Sequence, residues 1–152
     1  MENIELKYFK NLIIYSFIFG ALSALLSLIP VFMPFFSLFF LPFLGTIPPL
    51  ILIVKLNKFY SSENKTYAIL GGISGAFVCF SYFIVFVPVV FLLHIIFKNY
   101  YDYGIQYLNL FLFVLFFIMV EIVYIITNVV SGLLFGIIYK YIKENNNKNL
   151  SV

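Results

Sequence analysis

Glu121 stands inside the long apolar run near the end of the chain, with Tyr124 about one helical turn and Asn128 about two turns further along. At about 100° per residue Glu121, Asn128, Gly132 and Tyr139 fall within about 20° of one line, and Tyr124 flanks it. A carboxylate in lipid costs several kcal/mol, so it faces other helices and is paired, solvated or protonated. Two kinds of chemistry suit such a group. It can carry a proton or cation along a membrane pathway, or it can join helices by a hydrogen bond. No lysine interrupts its run, so the expected form is a protonated acid that donates to Tyr82 or to water. Counting back from Lys140 puts Glu121 about 28 Å from the lysine-rich boundary, near the far edge of a core about 30 Å thick. That depth also suits an interfacial carboxyl.

Other reactive residue types are sparse. His94 is the sole histidine, and one His with one Glu makes neither a metal site nor an acid/base pair. Cys79, the sole cysteine, lies in an apolar run and reads as a small buried hydrophobe. No serine or tyrosine has a base within sequence reach, so no catalytic constellation is found and no cofactor or metal is expected. Arginine is absent, which removes the planar forks that bind nucleic-acid phosphates, so nucleic acid is not an expected partner.

The elements that must position these residues follow from composition. Of 152 residues 64% are hydrophobic and 10% charged, with a mean hydropathy of +1.10, whereas charged residues make up about a quarter of soluble domains. The expected class is an all-α integral membrane protein, a four-transmembrane-helix bundle in the plasma membrane with the lipid bilayer as its first partner. Uncharged stretches run over 11–54 and 66–97, and a third over 104–139 is interrupted by Glu121 alone. Pro30 and Pro34 divide the first, giving spans at about 11–29, 35–54, 66–87 with an extension to 97, and 108–139. Residues 11–29 are too many for a signal-peptide core. Span 2 contains Pro42, Gly45, Pro48 and Pro49, so it must kink or break. Spans 3 and 4 are longer than a bilayer needs, with a kink expected at Pro88, and 142–152 reads as a polar, disordered tail.

Lysines sort by loop. Lys7, Lys10, Lys55, Lys58, Lys65, Lys140, Lys143 and Lys148 fall on one side of the expected topology and Lys98 on the other. The positive-inside rule then places both termini in the cytoplasm. The sequons at Asn64 and Asn149 would stay unglycosylated there.

Small residues mark the expected contacts, because helices in lipid associate by close backbone approach and hydrogen bonds. Gly20 and Ala24, Gly71 and Gly75, and Gly132 and Gly136 form small-xxx-small pairs in spans 1, 3 and 4. A hairpin of spans 3 and 4 turning near residue 102 brings Gly71 and Gly75 to the Gly132 region, Ser74 to Ser131 and Tyr82 to Glu121. Ser16, Gly20, Ser23 and Ser27 form a stripe on span 1 that should face inward. "YSFIFGALSA" from Tyr15 also resembles "YAILGGISGA" from Tyr67, hinting at two related hairpins. The functional expectation is a helix-packing or partner-binding component of a membrane assembly, as a homo-oligomer or beside other subunits. The alternative is a small proton- or cation-coupled transporter or channel using Glu121, with Tyr82, Asn128 and Tyr124 on its pathway.

Overall fold

The long uncharged stretches form long helices, since a backbone in apolar surroundings must satisfy its own hydrogen bonds. The computed structural model describes residues 6–29, 35–96 and 110–149. Every regular element among them is helical, with no strand. Helix α1 spans Leu6–Ser27, a π-helical segment spans Phe35–Leu44, α2 spans Ile47–Leu56, α3 spans Asn64–Ile96, and α4 spans Leu110–Asn149. Stretches Lys7–Ser27, Asn64–Val90 and Ile118–Lys143 are long and apolar enough to cross a membrane, and Phe40–Leu56 is a shorter apolar piece.

Helix α3 is the middle of the structure. It is 44% buried over its apolar window, against 28% for α1 and 22% for α4, because it packs between them. Helix α3 continues through Pro88 to Ile96. Helix α4 runs to Asn149, into the segment whose composition suggested disorder, because Lys and Glu after Tyr139 are good helix formers. The turn region 97–109 and the Pro30–Pro34 corner lie outside the described residues, and so does Lys98.

Span 2 breaks rather than bends. The π-helical segment ends at Leu44, Gly45 and Thr46 form a turn, and α2 begins at Ile47 with Pro48 and Pro49 in its first turn. A proline in the first turn is tolerated because its missing N–H would have had no helical partner. Gly45 is needed at the corner: a Cβ there would lie 2.7 Å from the Leu41 carbonyl oxygen.

Glycines set the helix spacing. A Cβ on Gly71 would lie 2.7 Å from Gly132 Cα and closer still to the Asn128 carbonyl, so α3 and α4 touch backbone to backbone there. Gly75 faces the Asn128 side chain, and Gly136 faces the Tyr67 ring. On the other side of α3, Gly20 meets the Val78 carbonyl and Ser81. Ala24 is fully buried beside Val78, Cys79 and Tyr82 in one apolar cluster. Ser16, Ser23 and Ser27 are buried on the same stripe of α1.

Both chain ends of the described fold meet at one end of the bundle. Tyr8 packs edge-on against Phe59, Tyr15 donates to Asn57 Oδ1 at 3.1 Å, and Lys140 donates to the Ser62 carbonyl. Between them, Tyr67, Phe59, Phe135 and Tyr139 form a ring cluster with centroids about 6 Å apart.

Candidate functional site: the broken span and the Glu121 neighbourhood

Breaking a helix inside an apolar bundle frees backbone groups that must find partners. Helix α4 supplies them. Asn128 is fully buried; its Oδ1 accepts from the Thr46 N–H at 3.1 Å and its Nδ2 donates to the Leu41 carbonyl at 3.1 Å. The second Nδ2 proton goes to the Tyr124 carbonyl at 2.8 Å, within α4 itself. One turn on, Ser131 Oγ lies 2.6 Å from the Phe43 carbonyl oxygen and 3.1 Å from that of Thr127. A hydroxyl has one proton, so the shorter contact to Phe43 is the main one. Two side chains on neighbouring turns of α4 therefore replace the helical bonds that span 2 lacks.

Thr46 completes the picture by what it does not do. It precedes the first residue of α2, where a threonine oxygen ordinarily accepts from the second or third helical N–H. Those positions are Pro48 and Pro49, which have no N–H, and Thr46 makes no capping bond. Its Oγ1 is buried without a partner among the described residues. The amide of Asn128 caps the main chain instead. This half-helix start offers few donors to any ligand, since prolines remove two N–H groups and Asn128 occupies a third.

Glu121 sits about 10 Å away along α4, two turns before Asn128. Glu121 lies near the Cys79 thiol on α3, and Tyr124 lies close enough to interact electrostatically with Cys79, Tyr82 and Glu121. Its second oxygen, Oε2, is buried with no hydrogen bond among the described residues. Cys79, Tyr82 and Tyr124 belong to an apolar cluster with Leu41, Val78, Phe86 and Val90. Tyr82 stacks on Phe86 with centroids 5.2 Å apart and meets Phe83 edge-on.

The four residues singled out by sequence thus divide into two groups. Glu121, Tyr82 and Tyr124 gather around Cys79, whereas Asn128 serves the break. Hairpin depth puts Tyr82 at the level of Glu121, and the Cys79 thiol, one turn earlier on α3, is also near that carboxyl. Ser74, expected opposite Ser131, instead shares a 2.8 Å hydrogen bond with Ser16 of α1. Depth gives the level at which two residues meet, but helix rotation decides which face they use, and a single residue changes the direction by about 100°. Ser81 also escaped notice in the sequence; it donates to the Phe17 carbonyl of α1 at 2.6 Å. His94 lies in α3, and its side chain is outside the described ones. Among the described residues no group of three His, Cys, Asp or Glu could hold a metal ion. Comparison with protein-family models, curated proteins and solved structures finds no match to this chain.

Proposed function

We propose that this chain is a four-span membrane protein of the plasma membrane, with both termini in the cytoplasm and the interrupted segment Phe35–Leu56 as its second span. Its role is that of a non-enzymatic helix-packing or partner-binding component of a membrane assembly. The observation that carries this reading is the use of Asn128, the most deeply buried side-chain amide among the described residues, whose hydrogen bonds all go to the protein's own backbone. A pathway residue would keep that amide free for a substrate. The apolar outer face of α4 is the surface left over, with Met119, Ile122, Ile126, Val130, Leu134 and Ile138 each more than half exposed. Lipid or another helix covers it.

The test is a cysteine-crosslinking scan along that face in native membranes, in a Cys79→Ser background. A component of an assembly gives crosslinks that recur every three to four residues, about one helical turn. Uniform absence of crosslinks along the whole face overturns the reading. The cytoplasmic placement is checked separately by adding reporters to each terminus, which must both report the inner side.

One observation favours a second reading, a proton- or cation-coupled transporter using Glu121. The buried and unpartnered Oε2 of that carboxyl, beside Cys79 and Tyr124, is a place where a proton or cation could bind. Flux into proteoliposomes that disappears in Glu121→Gln, with the fold retained, would support it; equal flux in both would remove it.

A further inference from the structure

The lysines converge on one end of the bundle, and the contacts there show which of them are free. Lys140 donates to the Ser62 carbonyl, and Lys143 Nζ lies 3.5 Å from the centroid of the Tyr60 ring. Those two ammonium groups are engaged by the protein. Lys7 and Lys10 at the start of α1, Lys55 and Lys58 at the end of α2, and Lys65 at the start of α3 are exposed. The Tyr8–Phe59 and Tyr15–Asn57 contacts bring the start of α1 against the end of α2. Glu63 is the one exposed acid among the described side chains at this end; Glu2 and Glu5 precede it in sequence.

Exposed apolar side chains stand among these lysines. Leu56 is 66% exposed and Tyr60 43%, next to Lys55 and Lys58. Lys58 itself adopts a left-handed backbone, φ 54°, which turns the chain out of α2, and the Phe59 N–H then reaches back to the Ile53 carbonyl. A soluble anion would leave Leu56, and the part of Tyr60 that Lys143 does not cover, exposed. A molecule with a phosphate beside an acyl chain matches both features.

We infer that Lys10, Lys55, Lys58 and Lys65 form a seat for anionic phospholipid headgroups, with the acyl chain lying against Leu56 and Tyr60. The inference rests on the membrane reading of the apolar helices but not on the packing role. An anionic surface attracts each nearby lysine, and the attraction fades over a Debye length. The seat therefore selects anionic over zwitterionic lipid in the first shell around the protein.

The test uses the full chain in vesicles of mixed phosphatidylcholine and phosphatidylglycerol, with spin-labelled versions of each lipid reporting association. The expected result is a preference for phosphatidylglycerol of about fivefold, the effect of one well-placed lysine. It falls towards onefold at salt on the order of 1 M, where the Debye length is about 3 Å. Changing Lys10, Lys55, Lys58 and Lys65 together to Gln abolishes the preference, while the same four changed to Arg retain it. Equal association of both lipids with the unaltered protein overturns the inference, and so does a preference unchanged in the Gln variant. Inorganic phosphate is the second probe: if it removes the preference at an ionic strength where sodium chloride does not, the seat is a site for a free anion and the lipid assignment fails. The salt and phosphate arms use the unaltered protein, so they decide even if the Gln variant does not fold. Failure of the α4 crosslinking scan would leave this result standing, which separates the two readings.

Discussion

Replacing Asn128 with Leu keeps most of the side-chain volume and deletes every hydrogen bond of the amide. Two of those bonds reach another element, to the Thr46 N–H and the Leu41 carbonyl, both at 3.1 Å. Polar bonds between membrane helices average about 0.6 kcal/mol and reach about 1.7, because the separated helices also find partners. On that scale the two bonds are worth about 1 to 3 kcal/mol. Burial raises the figure, since Thr46 is fully buried and its N–H loses the acceptor it has. A buried group left unsatisfied costs about 1–3 kcal/mol, so the expected loss is about 2 to 5 kcal/mol. The third bond, to the Tyr124 carbonyl, adds little because it is local to α4. Reversible unfolding in mixed micelles, followed by circular dichroism, measures the loss. Amide exchange then locates it, with Thr46 exchanging faster while the centre of α3 stays protected. A cost below about 0.5 kcal/mol, the range of ordinary surface substitutions, would refute the claim that Asn128 holds the break.

Thr46→Val should be neutral or stabilising, by up to about 1 kcal/mol, because it replaces an unpartnered buried hydroxyl with a methyl of the same shape; the same unfolding assay showing a loss of 1 kcal/mol or more would mean that the hydroxyl has a partner. Gly71→Ala should destabilise by about 1–3 kcal/mol, since its Cβ would press on the backbone of Asn128 and Gly132. Gly72→Ala should cost less, because its Cβ meets chiefly the Val129 Cγ2 methyl at 2.6 Å, a side chain at the surface of α4; the order of the two melting transitions checks this. Cys79 is fully buried, so a maleimide should label it only after unfolding, as mass spectrometry of the intact protein can show.

The membrane class of this chain is legible in composition, and its interruption is legible in Pro42, Gly45, Pro48 and Pro49. The meeting of Gly71 with Gly132 is legible too, because two residues without side chains at one depth leave few other ways to pack. What repairs the interruption is not. Asn128 reads in sequence as a companion of Glu121, since both lie on one stripe of α4. A stripe shows only that two residues share a direction, and the neighbours of each depend on what lies opposite at its own depth. Glu121 faces α3, and Asn128 faces both α3 and the broken span. Sequence patterns also hide the main chain as a partner. Ser131, Ser81 and Asn128 all bond to carbonyls, which every residue carries and no composition reveals.

The bond between Thr46 and Asn128 joins residues 82 positions apart, and that separation matters while the chain is being made. At about 5–20 residues per second, synthesis reaches Asn128 about 4 to 16 s after Thr46. Through that interval the interrupted span has left the ribosome with polar main-chain groups that no earlier helix is shown to satisfy. Its hydrogen bonds to Asn128 and Ser131 are completed only when the last helix arrives. Packing of the interrupted segment is thus coupled to completion of α4. In a nascent chain halted before residue 110, residues 35–56 should be open to water-soluble labelling reagents that the finished protein excludes, marked as unfinished to the proteases that clear incomplete membrane proteins.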